Sequence, residues 1–122
     1  MSTPGSSRRS PGRKPGAASW RLQTAVVKLV EVLPAALAEA EEAAAWYAER
    51  DPRVAARFAD EIEAALTRIA EAPDRWPSYR YGTRRVRLTR FPYLVVYRDE
   101  PTRLLVVAIA HAKQRPGYWS KR

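Results

Sequence analysis

Pro92-Tyr93-Leu94-Val95-Val96-Tyr97-Arg98, a short link Asp99-Glu100-Pro101-Thr102, and Leu104-Leu105-Val106-Val107-Ala108-Ile109-Ala110-His111 make the stretch whose reading decides the fold. In the first run Tyr93, Val95 and Tyr97 alternate with Leu94, Val96 and Arg98, the period of a strand with two distinct faces. The second run is apolar at every position before His111, which predicts a central strand buried on both faces. The four-residue link predicts that the two pair as a hairpin. Just upstream, residues 83–90 alternate too: Val86 and Leu88 face one way, while Arg85, Arg87 and Thr89 face the other. That predicts a half-buried strand with a cationic outer face.

Working further back, Asp51-Pro52 reads as a helix N-cap followed by proline at the first helical position. Phe58, Ile62, Ala65, Leu66 and Ile69 then recur with helical spacing and predict one apolar face, ended by Pro73. On the outer side, Arg57 and Glu61 are placed to pair as an exposed i, i+4 couple. Residues 35–50 are rich in Ala, Leu and Glu and predict another helix, its stripe formed by Leu37, Ala40, Ala44 and Tyr47, with Glu39, Glu41, Glu42 and Glu49 as solvated surface. Before it, residues 26–33 mix β-branched and apolar side chains as a first strand does. The order β-α-α-β-β-β predicts an α+β fold in which an antiparallel helical hairpin packs on one face of a small twisted, mostly antiparallel sheet. Residues 1–26 offer Ser, Pro, Gly, Arg and Lys with little to bury, and predict a basic disordered extension ahead of one folded domain at residues 27–122.

The chain has 122 residues, enough for one modest core, and 22 basic against 13 acidic side chains give a net charge of +9. The charge is unevenly spread. Residues 29–74 hold four of the basic and eleven of the acidic side chains, whereas residues 75–122 hold twelve basic and two acidic ones. An acidic helical layer against a basic sheet and tail follows, with an anionic partner for the basic side. The absence of cysteine excludes disulfides, thiolate catalysis and metal binding through sulfur. No apolar run approaches the roughly 18 residues that span a bilayer, and the basic N-terminus lacks the apolar core of a signal peptide. A cytoplasmic protein with no membrane partner is expected. No glycine-rich phosphate loop, Ser-His-Asp order or metal-ligand spacing is present, so neither cofactor nor small-molecule substrate is expected.

Three groups of residues carry possible function. His111, the single histidine, has the reference pKa of a general base; equally, by strand parity it shares a face with Val107 and Ile109, as a structural histidine bonded to a carbonyl would. Arg84, Arg85, Arg87 and Arg90 form the densest cationic cluster, which suits phosphate or carboxylate, and Arg98 and Arg115 extend it. Tyr118 and Trp119 can stack on a partner or pack the tail onto the sheet.

From about Val27 onward the chain resembles the RelE/ParE superfamily of type II toxin–antitoxin toxins. The resemblance is carried by Ala44-Ala45-Trp46-Tyr47-Ala48, Arg57-Phe58, Ile69-Ala70-Glu71-Ala72-Pro73, Arg90-Phe91-Pro92-Tyr93-Leu94-Val95-Val96-Tyr97, and His111 with Arg115-Pro116-Gly117-Tyr118-Trp119. It implies a growth-inhibiting toxin, of the kind found in plasmid stabilisation systems, neutralised by an acidic antitoxin whose C-terminal segment folds on binding. The superfamily divides by target. Its ribosome-dependent branch cuts mRNA with cations this chain lacks, since Tyr93 stands at the matching strand position; His111, Tyr118 and Arg87 would be the surviving catalytic set. The Arg-Phe-Pro-Tyr strand and the Pro-Gly-Tyr-Trp tail are more similar to the ParE branch, which implies binding and poisoning of DNA gyrase. In that case Arg84, Arg85, Arg87, Arg90, Arg98, Arg115, Tyr118 and Trp119 are the residues for target or antitoxin. A non-catalytic nucleic-acid-binding module is the remaining reading.

Overall fold

The computed structural model describes residues 28–122; the expected N-terminal extension and the first residues of the expected opening strand lie outside them. Among the described residues the elements are β1 (Leu29–Val32), α1 (Pro34–Arg50), α2 (Pro52–Glu71), a 3-10 turn (Arg80–Gly82), β2 (Arg84–Arg87), β3 (Tyr93–Asp99) and β4 (Arg103–His111). The sheet runs in the order β1-β4-β3-β2. β1 is parallel to β4, and both other pairings are antiparallel. The β-α-α-β-β-β order and the two-layer architecture are as the sequence predicts, and the all-apolar run is the strand flanked on both sides.

Local chemistry sets the boundaries. The Asp51 side chain accepts from the Arg53 N–H at 3.0 Å and caps α2, with Pro52 just behind it. The Arg53 guanidinium and backbone N–H hold the Asp51 carboxyl below its ordinary pKa. β2 stops short of residue 90 because Glu61 Oε1 accepts the Thr89 and Arg90 N–H groups, at 2.8 and 3.3 Å, and turns the chain. Glu61 therefore caps a turn instead of pairing with Arg57. On α1 the buried stripe begins at Ala36 and Ala43, and Leu37 is 49% exposed. Ala40, Ala44 and Tyr47 of the predicted stripe do pack against the core; only Leu37, in the first turn, is turned away, and Ala36 takes its place on the close approach of α1 to the sheet.

Both sheet faces are covered. On the helix side Phe58, Ile69, Val86, Leu88, Phe91, Val95, Tyr97, Leu104, Val106 and Ile109 form the main core, with Tyr47 and Tyr93 packed against it. Tyr47, Phe58, Phe91 and Tyr93 make an aromatic cluster with ring centroids 5.0–5.4 Å apart. On the opposite face Leu94, Val96, Leu105, Val107, Ala108 and Ala110 are covered by the tail, residues 112–122, through Trp119. Trp119 is 1% exposed and stacks on Tyr79 at 5.4 Å, so its ring is a core residue.

Strand parity along β4 is broken once. Val96 pairs with Ala108 but Tyr97 with Val106, leaving Val107 as the extra residue of a β-bulge. Val107 and Ala108 consequently face the tail, while Ile109 returns to the helix side. His111 shares a face with Ile109 and not, as unbroken alternation predicts, with Val107.

Candidate functional site

The basic residues singled out by the sequence separate into two groups. Arg84 and Arg98 are structural in their contacts: Arg84 Nη1 donates to the Trp76 carbonyl at 2.6 Å, and Arg98 Nη2 donates to the Arg122 carbonyl at 3.0 Å. Arg85, Arg87, Arg90 and Arg115 are exposed. None of those four is in ion-pair contact with a carboxylate among the described residues. Since Val86 and Leu88 point into the helix-side core, Arg85 and Arg87 project from the tail side. There the Arg85 guanidinium lies 4.8 Å from the centre of the Tyr79 ring, which itself stacks on Trp119. The result is a layered cationic surface supported by a buried indole.

The three residues of a nuclease reading fall on different sides of the sheet. His111 is on the helix side, edge-on to Tyr93 at 5.0 Å, and its Nδ1 accepts the Lys113 N–H at 3.0 Å. It is thus satisfied by a backbone donor, where a structural histidine was expected to meet a carbonyl. Tyr118 packs on the tail side, edge-on to Trp119 at 5.3 Å. Its hydroxyl is buried near the Glu39 carboxylate without reaching hydrogen-bond geometry; burial first, then that carboxylate, push its pKa up. Arg87 projects from the tail side of β2, opposite Leu94.

Glu39 is the residue the sequence misplaces. Expected as solvated helix surface, its carboxylate takes Arg122 in two contacts of 3.1 Å and accepts the Ile109 N–H at 3.0 Å. Arg122 Nη1 also donates to the Val107 carbonyl at 3.0 Å. These contacts lie where β4 outruns β1, whose four residues pair only as far as Val106. The next outward N–H, that of His111, is taken by Gln114 Oε1 at 3.0 Å. Beside this capped edge an open groove of about 730 Å³ lies between α1 and β4, lined by Glu42, Trp46, Tyr47, Pro92, Tyr93 and His111 among others. Burial raises the Tyr93 and Tyr47 hydroxyl pKa values there.

Tyr81 is the second residue the sequence leaves unmarked. Ser78 and Arg84 bridge as a narrow hairpin, and Tyr81 and Gly82 form its tip with φ of 60° and 71°. Two consecutive positive φ values describe a type I′ turn, which takes Asn or Gly at its first central position. A tyrosine there costs about 1–2 kcal/mol of backbone strain. Its ring lies against Gly117, at φ +93°, where an added Cβ would stand 2.6 Å from Tyr81 Cε2. Tyr81 is nevertheless 61% exposed.

Among the described residues no group of three His, Asp or Glu side chains is placed to hold a metal ion, and no helix is long and apolar enough to cross a membrane.

Residues 30–116 match the family described as ParE toxin of type II toxin-antitoxin system, parDE. The chain is 36% identical over 72 residues to Toxin RelE1 of Caulobacter vibrioides, a match spanning 57% of this chain and 77% of that protein. In fold it is similar to a solved structure described as the chromosomal ParDE TA system from P. aeruginosa. The TM-score is 0.63 at 17% identity, covering 70% of this chain and 96% of the other.

Proposed function

The chain belongs to the ParE toxin family of type II toxin–antitoxin systems, and we propose that it arrests growth by binding and poisoning DNA gyrase in the cytoplasm, without cutting RNA itself. A toxin of this class has an antitoxin as its neutralising partner. The observation that carries the gyrase reading is that His111 lies on the helix side of the sheet and Arg87 on the tail side. A general base must come within hydrogen-bond reach of the proton it takes, with cations at the same phosphate. A histidine on one face and an arginine on the other are poorly placed to serve a single phosphodiester. The Tyr118 hydroxyl, buried and hard to ionise, is also poorly suited to proton transfer.

What remains accessible suits macromolecular binding: an arginine surface on β2 and the tail, held rigid by the Arg85–Tyr79–Trp119 stack. The test is growth arrest by His111→Ala and Tyr118→Phe. The Tyr118 change removes only the hydroxyl, and His111 is half-exposed, so both variants are expected to fold and to arrest growth as the parent does. Loss of arrest in either, with an unchanged melting temperature, would move the assignment to mRNA cleavage on the ribosome.

A further inference from the structure

The hairpin tip at Tyr81 breaks a local rule. A residue type that favours strands and avoids positive φ occupies a turn position at φ 60°, ψ 43°. Such strain persists where the surroundings enforce it, and it clusters at sites that bind. The contact at hand is the tail: Gly117 leaves room for the Tyr81 ring, which an added Cβ would force to shift. The ring is not thereby buried, since Tyr81 is 61% exposed.

The surroundings are mainly cationic; the one carboxylate beside the hairpin, Asp99, is paired with Lys28. Arg80 precedes Tyr81, Arg115 lies two residues from Gly117, and Arg85 and Arg87 stand on the adjoining strand; all four are exposed. Residues 75–98 and 101–122 contain no Asp or Glu at all. Within the hairpin the backbone is engaged, the Arg85 N–H donating to the Pro77 carbonyl, Tyr79 to Thr83 and Thr83 to Arg80, at 3.2, 2.8 and 3.4 Å. The outer edge left for an extended acidic peptide is one bridge residue, Ser78, too short for a ladder. What the surface offers is planar guanidinium groups and one aromatic ring, the chemistry that takes phosphates and open base faces.

We propose that the Tyr81 turn, with Arg80, Arg85, Arg87 and Arg115, is a binding site for an unpaired nucleic-acid strand: the ring stacks on a base and the arginines hold the flanking phosphates. A paired base hides its face in the helix, so the site prefers a single strand to a duplex. The proposal concerns the toxin alone and does not depend on gyrase being its target.

The test is fluorescence anisotropy with the full chain and a labelled single-stranded oligonucleotide, in parallel with the matching duplex and a labelled polyglutamate peptide. Tyr81→Asn is the informative variant, because asparagine accepts this turn. It is expected to melt at or above the parent temperature and to bind the single strand about tenfold or more weakly. Arg80→Ala is expected to weaken binding and flatten its salt dependence. Undiminished binding by Tyr81→Asn would overturn the proposal. So would polyglutamate bound as tightly as the oligonucleotide, which would mark a surface for acidic protein. A clear fall in the melting temperature of Tyr81→Asn would reassign the ring as a mere buttress of the tail.

Discussion

Glu39 and Arg122, 83 positions apart in sequence, meet in a two-pronged ion pair that also closes the unpaired half of the β4 edge. The carboxylate takes the Ile109 N–H and the guanidinium gives to the Val107 carbonyl, so two side chains replace a missing strand. Exposed strand edges invite association, and this pair removes that hazard while tying the tail to α1.

Breaking the pair is therefore expected to cost more than a surface ion pair would. Glu39→Ala leaves a partly buried guanidinium without its partner and the Ile109 N–H without an acceptor, and should lose about 2 kcal/mol in urea unfolding. Exchanging the two charges, Glu39→Arg with Arg122→Glu, should not restore stability. The polarity of the backbone groups at Ile109 and Val107 is fixed, and the exchanged pair would present a donor to a donor.

Trp119→Ala should be the most damaging single change in the tail. The ring is 1% exposed, stacked on Tyr79 and packed over the Val96 and Val107 side of the sheet. Truncating it leaves a cavity and exposes that face, at an expected cost of about 3–5 kcal/mol. The check is chemical denaturation, together with faster proteolysis of residues 112–122.

Gly117→Ala is expected to destabilise for two separable reasons: φ of +93° and a Cβ that would meet the Tyr81 ring at 2.6 Å. Adding Tyr81→Ala should recover the steric part and leave the backbone part, about 1 kcal/mol. A double-mutant cycle on melting temperatures measures the division.

Alkaline unfolding should be steered by Tyr97. Its hydroxyl donates to the Pro73 carbonyl, and burial pushes its pKa up from 10.0 to about 12. The folded state thus holds this proton more tightly than the unfolded chain does. Stability is full below pH 10 and falls as pH rises through the folded value, by on the order of 2 kcal/mol. Tyr97→Phe should flatten that part of the stability-against-pH curve while lowering stability at neutral pH through the lost hydrogen bond.

The parts of the fold legible in the sequence were those carried by periodicity or by a cap. Asp51-Pro52, the apolar face from Phe58 to Ile69, and the alternation at Val86 and Leu88 each point to one structure. The β-bulge at Val107 left no trace, because a run apolar on both faces reads the same in either parity; the side on which His111 lies was lost with it. Glu39 looked like every other glutamate of α1, since its value depends on how far β1 extends and on a residue at the far end of the chain. Tyr81 was readable only as one aromatic in a loop, because its strain belongs to a turn that Gly82 and Gly117 complete.

The central claim is best tested by negative supercoiling of relaxed plasmid with purified gyrase and ATP, titrated with the antitoxin-free chain and then with antitoxin added back. Gyrase poisoning predicts inhibited supercoiling with accumulating cleaved DNA, reversed by the antitoxin, and unchanged for His111→Ala. Full supercoiling in the presence of folded, growth-arresting protein would contradict it.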